Sequence, residues 1–357
     1  MVELHDESVS GKATEPLGMH GLSAILFGHS AFQYLNAANE LGLFEDLLAA
    51  PGSNREQVGA RLGLGRRPIE MLLLGCTALR LLTRDADGGY HVCPEIRQLA
   101  DDGDWQRFKD VVDFEQRITY EGQADFTESL RRDTNVGLDR IPGTGRDLYH
   151  RLTENPRLET VFYRYMRSWS ELANRHLVEQ VDLGSATSLL DCGGGDGVNT
   201  IALAKANPHL RATILEIEAT APITEKRIIE AGLADRVNVQ VCEMFEEPFP
   251  AGHDTVLFAH QMVIWRPEDI TVLLRKAYDA LPEGGRVVIF NSMSDDTGDG
   301  PLIAALDSVY FACLPVEGGM IWPWSQHEEC LREAGFSGME RFKCPTWTPH
   351  GIIVATK

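Results

Sequence analysis

The segment Leu189-Leu-Asp-Cys-Gly-Gly-Gly-Asp-Gly-Val-Asn-Thr-Ile reads as a strand that ends in a glycine cluster and opens directly into a helix. Glycines at such a junction let the backbone pass close to a bound ligand and take up positive φ where the turn demands it. The spacing is not the Gly-x-Gly-x-x-Gly that seats a pyrophosphate on a helix N-terminus. Instead Asp191 precedes Gly193, Gly195 and Gly197. An acid at the strand tip suits a ligand with an ammonium group and repels a pyrophosphate.

Two further acids fall at strand tips. Glu216 ends the next strand, where a carboxylate accepts hydrogen bonds from both hydroxyls of a ribose. Glu243 ends the strand after that and is followed by Met244 and Phe245, a thioether and a ring that can pack on an adenine while the acid or the backbone meets its edge. Loop, ribose acid and adenine pocket on three successive strand tips describe a nucleoside with a cationic tail.

The elements that must carry these groups show in the pattern after residue 185. Ser188-Leu-Leu-Asp, Arg211-Ala-Thr-Ile-Leu-Glu, Val237-Asn-Val-Gln-Val, Asp254-Thr-Val-Leu-Phe-Ala and Arg286-Val-Val-Ile-Phe-Asn are short apolar runs alternating with helical segments. That rhythm predicts a parallel sheet covered on both faces, closed by strands within Glu340–Lys357. Upstream, apolar residues recur at helical spacing from Leu22 to Leu48. Two short helices starting near Asn54 and Arg67 then lead into a Gly88-Gly hairpin, a winged-helix arrangement. Residues 101–176 are again helical and rich in aromatic side chains. The expected organisation is an α/β, Rossmann-like doubly wound sheet at the C-terminus (181–357), a mainly helical, winged-helix-containing N-terminal domain (18–180), and a loose tail (1–17).

Composition narrows the function classes. A net charge of −20 over 357 residues opposes nucleic acid and anionic membrane surfaces as partners. The acids Glu56, Glu70, Asp85 and Asp87 around the second winged-helix element remove the basic footprint of a DNA reader, which leaves a structural or dimerising role. Seven cysteines without a Cys-x-x-Cys pair indicate reduced thiols, and the opening residues lack a secretion signal. A cytoplasmic chain is expected.

The run Asp191-Cys-Gly-Gly-Gly-Asp-Gly, with Glu216, Glu243-Met-Phe, Trp265 and Leu281-Pro-Glu-Gly-Gly-Arg-Val-Val-Ile, resembles the class I S-adenosylmethionine-dependent small-molecule O-methyltransferases that carry a winged-helix dimerisation domain. The likeness extends to Phe32-Gln-Tyr-Leu and Glu40-Leu-Gly-Leu-Phe. It is strongest towards bacterial natural-product enzymes that act on naphthoate- or orsellinate-type aromatic acids. The resemblance implies S-adenosyl-L-methionine as cofactor, a small-molecule acceptor and a homodimer with interlocking N-terminal helices. It assigns the cofactor to Asp191, Gly193, Gly195, Glu216, Glu243, Met244 and Phe245, and no metal. It places the acceptor near Phe162, Met166 and Trp169 on one helix and Asp307, Tyr310 and Phe311 on another. Arg164 or Arg167 is then the expected partner of an acceptor carboxylate.

One element departs from the family. Where relatives carry His-x-Trp, with the histidine as general base, this chain has Val263 two residues before Trp265. His260, at the tip of the fourth strand, is the substitute candidate, and His260 and Trp265 are the expected catalytic pair. The leading expectation is O-methylation of an aromatic, carboxylate-bearing polyketide intermediate. The alternatives are C-methylation of a 2-oxo acid, with metal assistance in one version, and a non-catalytic regulatory or ligand-binding protein on the same fold.

Overall fold

The computed structural model describes residues 17–357, so the expected tail lies, but for Leu17, outside the described residues. The chain forms two compact units, the first ending at Trp105 and the second running from Gln106 to Lys357.

In the first unit, α1 (Gly18–Leu26), α2 (Gly28–Glu40) and α3 (Leu43–Ala49) precede α4 (Arg55–Leu62) and α5 (Arg66–Ala78). Asn54 starts α4 with a reciprocal capping box to Gln57, and Gly63 ends it in the left-handed region that a side chain disfavours. The hairpin β1 (Leu82–Arg84) and β2 (Tyr90–Val92) and the helix α6 (Pro94–Asp101) complete the expected winged helix. Leu43, Phe44, Leu47, Val58, Ile69, Leu73, Leu82 and Ile96 form its core. By contrast α1 has no buried residue, and Met19, Leu22, Ile25 and Leu26 stand exposed.

The second unit takes in most of α7 (Trp105–Phe114), a π-helical turn at Glu115–Thr119, the short α8 (Tyr120–Gly122), α9 (Phe126–Arg132), α10 (Leu148–Thr153), α11 (Pro156–Glu171) and α12 (Asn174–Gln180). These helices were expected to belong with the winged helix, yet they share the sheet's unit. Their apolar residues explain this: Ala173, Leu177 and Val181 sit in one core with Leu189, Ile201 and Leu257 of the sheet layer, and Asn199 Nδ2 donates to Ser170 Oγ at 3.3 Å. The change of rhythm near Val181 marks where strands begin, whereas the compact unit begins earlier.

The sheet alternates as expected: β3 (Ser188–Cys192), α13 (Val198–Ala206), β4 (Arg211–Glu216), α14 (Ala221–Glu230), β5 (Val237–Val241), β6 (Thr255–Ala259), α15 (Pro267–Ala280), β7 (Arg286–Ser292), α16 (Leu302–Cys313), α17 (Trp324–Ala334), β8 (Ser337–Lys343) and β9 (His350–Thr356). The strand order is β5-β4-β3-β6-β7-β9-β8, with β3 to β7 parallel and β8 and β9 antiparallel. β6 is buried along its whole length and β7 along all but its first residue, which is why both read as continuous apolar runs. The connections diverge between β3 and β6, and the crevice outside the carboxyl ends of strands at such a divergence is where open α/β sheets bind ligands.

Close packing reaches to the last strand. A Cβ on Gly351 in β9 would lie 2.1 Å from the Trp324 ring. Gly351→Ala is therefore expected to destabilise the chain by about 1–3 kcal/mol through overpacking. Denaturant unfolding checks this, and an unchanged midpoint would mean that Trp324 yields freely.

Candidate active site

The carboxyl ends of β3, β4 and β6 open into a cavity of about 250 Å³. Gly193, Gly195 and Gly197 all have positive φ, and a Cβ on Gly193 would come within 2.5 Å of Gln261 Nε2, which donates to the Gly193 carbonyl at 2.8 Å. The turn is thus tied to the tip of β6, and its φ of +70° at Gly193 is one that side chains disfavour.

Asp191 does not face the cavity. It is fully buried beneath the turn, with Oδ2 accepting from Thr200 Oγ1 at 2.6 Å. Oδ1 has no partner among the described residues, and burial pushes the carboxyl up to about 6. The expectation that Asp191 meets the ligand's ammonium is corrected: the side chain runs under the turn, and a Cβ on Gly194 would lie 2.6 Å from Asp191 Oδ2. Its role is to hold the turn against α13.

Glu216 is where the ribose reading puts it, on the cavity wall. Its carboxylate accepts from the Gly195 N–H at 2.6 Å and the Ile217 N–H at 3.0 Å, and burial pushes it up to about 7 against these hydrogen bonds. Glu243, Met244 and Phe245 line the same cavity. Lys276 Nζ donates to the carbonyls of Met244, Phe245 and Glu247 at 2.6, 2.7 and 2.9 Å, which fixes this loop, and Phe245 packs edge-on to Trp265 with ring centroids 4.8 Å apart. Asn199, at the start of α13, also lines the cavity, and its Oδ1 is buried without a partner among the described residues. Backbone turn, diol-binding carboxylate, apolar ring slot and an orphaned acceptor together fit a nucleoside with a cationic tail.

His260 and Trp265 both line the cavity. His260 has φ +58°, uncommon outside glycine, and such strain gathers at functional positions. Its backbone N–H donates to the Phe290 carbonyl at 2.8 Å, its Nε2 has no partner among the described residues, and burial pushes the imidazole down to about 4. It is a neutral ring on the cavity wall whose Nε2 is itself buried. Val263 is buried in the cluster that holds Phe162 and Tyr310, so the family's usual base position is occupied by packing.

The acceptor expectations divide. Phe162 and Met166 of α11 line the cavity, joined by Tyr163, by Tyr149 and His150 of α10, and by Ile264. Arg167 does not offer its charge to an acceptor, because it pairs with Asp196 at 2.6 Å beside the glycine turn. Arg164 is likewise committed, to Asp113 and Asp110. Trp169, Tyr310 and Phe311 are not on the cavity wall: Trp169 packs against Tyr165 and His350, and Tyr310 against Phe114 and Phe311. Asp307 is also off the wall, among the same aromatic side chains. Tyr149 and Tyr163 appeared in the sequence only as members of an aromatic-rich helical stretch. Nothing in their spacing set them apart.

Residues 125–337 match the O-methyltransferase domain family. The chain belongs to this family. It is an S-adenosylmethionine-dependent methyltransferase, and the residues that suit its cofactor are the glycine turn, Glu216, Glu243, Met244 and Phe245. It is 63% identical over 350 residues to L-tyrosine C(3)-methyltransferase of Streptomyces lavendulae, across 98% of this chain and 95% of that protein. It is 32% identical to 3-hydroxy-5-methyl-1-naphthoate 3-O-methyltransferase of Streptomyces sahachiroi, across 98% and 99%. Among solved structures, the apo form of the S-adenosylmethionine-dependent methyltransferase SibL superposes with a TM-score of 0.86 at 47% identity, covering 96% of this chain and 99% of that one.

The buried Glu216 gives the methyltransferase a pH signature. Its folded pKa of about 7 exceeds the ordinary 4.5, so the unfolded chain releases this proton first and stability falls as pH rises from 4.5 to about 7. Glu216→Gln should flatten the fall in Tm over that window. It should also weaken S-adenosylmethionine at least ~10-fold, since a neutral amide replaces a charged acceptor. Melts across pH and calorimetry check both. Wild-type slope with wild-type affinity would remove Glu216 from the cofactor site.

Proposed function

We propose that this methyltransferase places its methyl on the ring carbon next to the phenolic hydroxyl of L-tyrosine or a close tyrosine-like amino acid. The observation that carries the reading is the 63% identity, over nearly the full length of both chains, to the tyrosine C(3)-methyltransferase of Streptomyces lavendulae. The O-methylating naphthoate relative is far more distant at 32%. This reading replaces the expectation of O-methylation of a polyketide acid, and it keeps carbon as the nucleophile while exchanging the 2-oxo acid for a phenol.

S-adenosylmethionine, when bound, supplies an electrophilic methyl whose C–S bonding pair stays on sulfur. The protein's task is to make the ring carbon nucleophilic and to orient it. A phenol with pKa ~10 is scarcely ionised at neutral pH. His260, a neutral imidazole on the cavity wall, takes the hydroxyl proton, and the phenolate then spreads its charge onto the neighbouring ring carbon. That carbon forms the new C–C bond as the methyl's C–S bond breaks, its own hydrogen then leaves as a proton to bulk water, and the proton held by His260 returns to the oxygen, which restores the phenol. Phe162, Met166, Tyr149, Ile264 and Trp265 wall the cavity with apolar surface, which excludes water and fixes which atom faces the donor.

Two further parts of the reading concern the whole molecule. The exposed Met19, Leu22, Ile25 and Leu26 of α1 suit a second copy of the chain, in keeping with a homodimer. The seven unpaired cysteines suit a reducing, cytoplasmic compartment. Among the described residues no helix is long and apolar enough to cross a membrane.

Incubation with L-tyrosine and methyl-labelled S-adenosylmethionine should give an aryl-methyl carbon resonance; an aryl methyl ether would return the enzyme to O-methylation, and no product would reject tyrosine. His260→Ala should lower kcat by ~10²–10⁴-fold with S-adenosylhomocysteine affinity unchanged. Full activity would remove His260 as the base. Sedimentation equilibrium should give twice the chain mass, and Ile25→Lys with Leu26→Lys should shift it towards one; a monomeric wild type would end the dimer assignment.

A further inference from the structure

Asp147 and His150 stand three residues apart at the start of α10, and both line the cavity. Asp147 Oδ1 accepts the His150 backbone N–H at 2.9 Å, which caps the helix. A cap asks no more of the acid than that. The His150 ring goes further, with Nδ1 at 2.8 Å from both Asp147 oxygens, and Arg146 Nε approaches the same carboxylate at 3.5 Å. Asp147 is 9% exposed, whereas His150 keeps 52% of its side-chain surface open. The backbone around the pair is held in place. The Leu148 N–H donates to the Pro315 carbonyl at 3.0 Å, and Arg151 donates to the carbonyls of Gly145, Leu138 and Ile141 at 2.9, 2.7 and 2.9 Å.

A carboxylate on one imidazole nitrogen fixes the tautomer: Nδ1 carries the hydrogen, and Nε2 keeps its lone pair. No hydrogen bond occupies His150 Nε2 among the described residues. The same carboxylate stabilises the imidazolium that forms when Nε2 takes up a proton. The pair is thus built as a proton acceptor, and α10 brings it to the cavity that His260 reaches from the tip of β6. The two histidines differ in their access to solvent: His260 is 8% exposed with Nε2 buried, and His150 is half open. A proton that must be held and returned suits the buried ring, and a proton that must leave suits the open one.

Methylation of a ring carbon sets a task that methylation of an oxygen does not, because the carbon attacked must also lose its hydrogen. Carbon gives up protons slowly to water, so a positioned acceptor speeds the step. We propose that His150, oriented by Asp147, is a second base of the reaction, taking the hydrogen of the newly methylated ring carbon as a proton and passing it to bulk water. The C–H bonding pair stays in the ring and restores its aromaticity while a new N–H forms on Nε2. The proton held by His260 returns to the oxygen, and the His150 imidazolium then releases its proton to solvent. One proton leaves per methyl gained, which matches the change of the cofactor's sulfonium into a neutral thioether. The proposal rests on the carbon-methylating reading. In it His150 is a catalytic residue and Asp147 a positioning residue.

L-Tyrosine with deuterium on both ring carbons next to the hydroxyl-bearing one tests this on the full-length enzyme, because only the proton-loss step breaks that bond. His150→Ala should lower kcat at least ~10-fold and give a larger deuterium isotope effect on kcat than wild type. Free imidazole, which a half-open site admits, should restore part of the lost rate. Asp147→Asn keeps an oxygen to cap α10 and removes the charge, so it should lower kcat by less and enlarge the isotope effect in the same way. Unchanged S-adenosylhomocysteine affinity shows that each variant is folded. Wild-type kcat and isotope effect in His150→Ala overturn the proposal. So does a lost rate with neither a larger isotope effect nor rescue by imidazole, which is what a merely structural role would give. The wild-type product judges the underlying reading separately. An aryl methyl ether, or no product, removes reading and second base together, whereas an aryl-methyl product with variants that fail the isotope test removes the second base alone.

Discussion

The glycine turn after β3 is the constraint on which the rest of the catalytic unit depends. It passes between two side chains that would collide with any Cβ: Gln261 reaches the Gly193 carbonyl from the tip of β6, and the Asp191 carboxyl lies under Gly194. Asp191 is bound in turn to Thr200 of α13, so strand, turn and helix are clamped by one buried acid. With the turn held, the Gly195 N–H meets Glu216 on β4 and the cavity acquires its floor. Loosening Asp191 would disturb every later contact, although its carboxyl lies off the cavity wall.

The same unit holds several polar groups in states that folding alone does not favour. Asp191 and Glu216 are carboxyls raised by burial, and His260 is an imidazole lowered by it. His260 also holds a left-handed backbone conformation. Proteins keep such features where function needs them and offset the cost elsewhere. Here the offset is visible in β6, buried throughout, and β7, buried but for its first residue, whose apolar residues join the cores on both faces of the sheet.

How much of this was legible follows from what kind of signal each part leaves. The parallel sheet announces itself through apolar runs separated by helical segments, and the turn through its glycines. Glu216, Met244 and Phe245 were recoverable because a strand tip fixes the direction of the next few residues. Asp191 was placed correctly in the chain but aimed wrongly, since the last residues of a strand alternate faces and sequence does not say which face the ligand occupies. Arg167 and Trp169 share a helix face with Phe162 and Met166 closely enough that spacing could not separate cavity wall from core. Asp196, the acid that captures Arg167, belongs to the turn itself.

The choice between oxygen and carbon is the least legible part, and the reason is chemical. Once a phenol has lost its proton, the oxygen and the neighbouring ring carbon share the negative charge, so the same base and the same donor serve either product. What differs is which atom the walls present, a displacement of the ring by roughly one bond length. Such a displacement is set by side chains scattered over α10, α11 and the tip of β6, none of which forms a motif. Val263 illustrates the point: replacing the family's usual base with a buried apolar residue removes one way of steering a hydroxyl towards the donor, and on the proposed reading His260, three residues earlier on a strained backbone, meets the phenol from another direction. A shift of the base along the chain changes the line along which the proton departs, and with it the edge of the ring left facing the methyl.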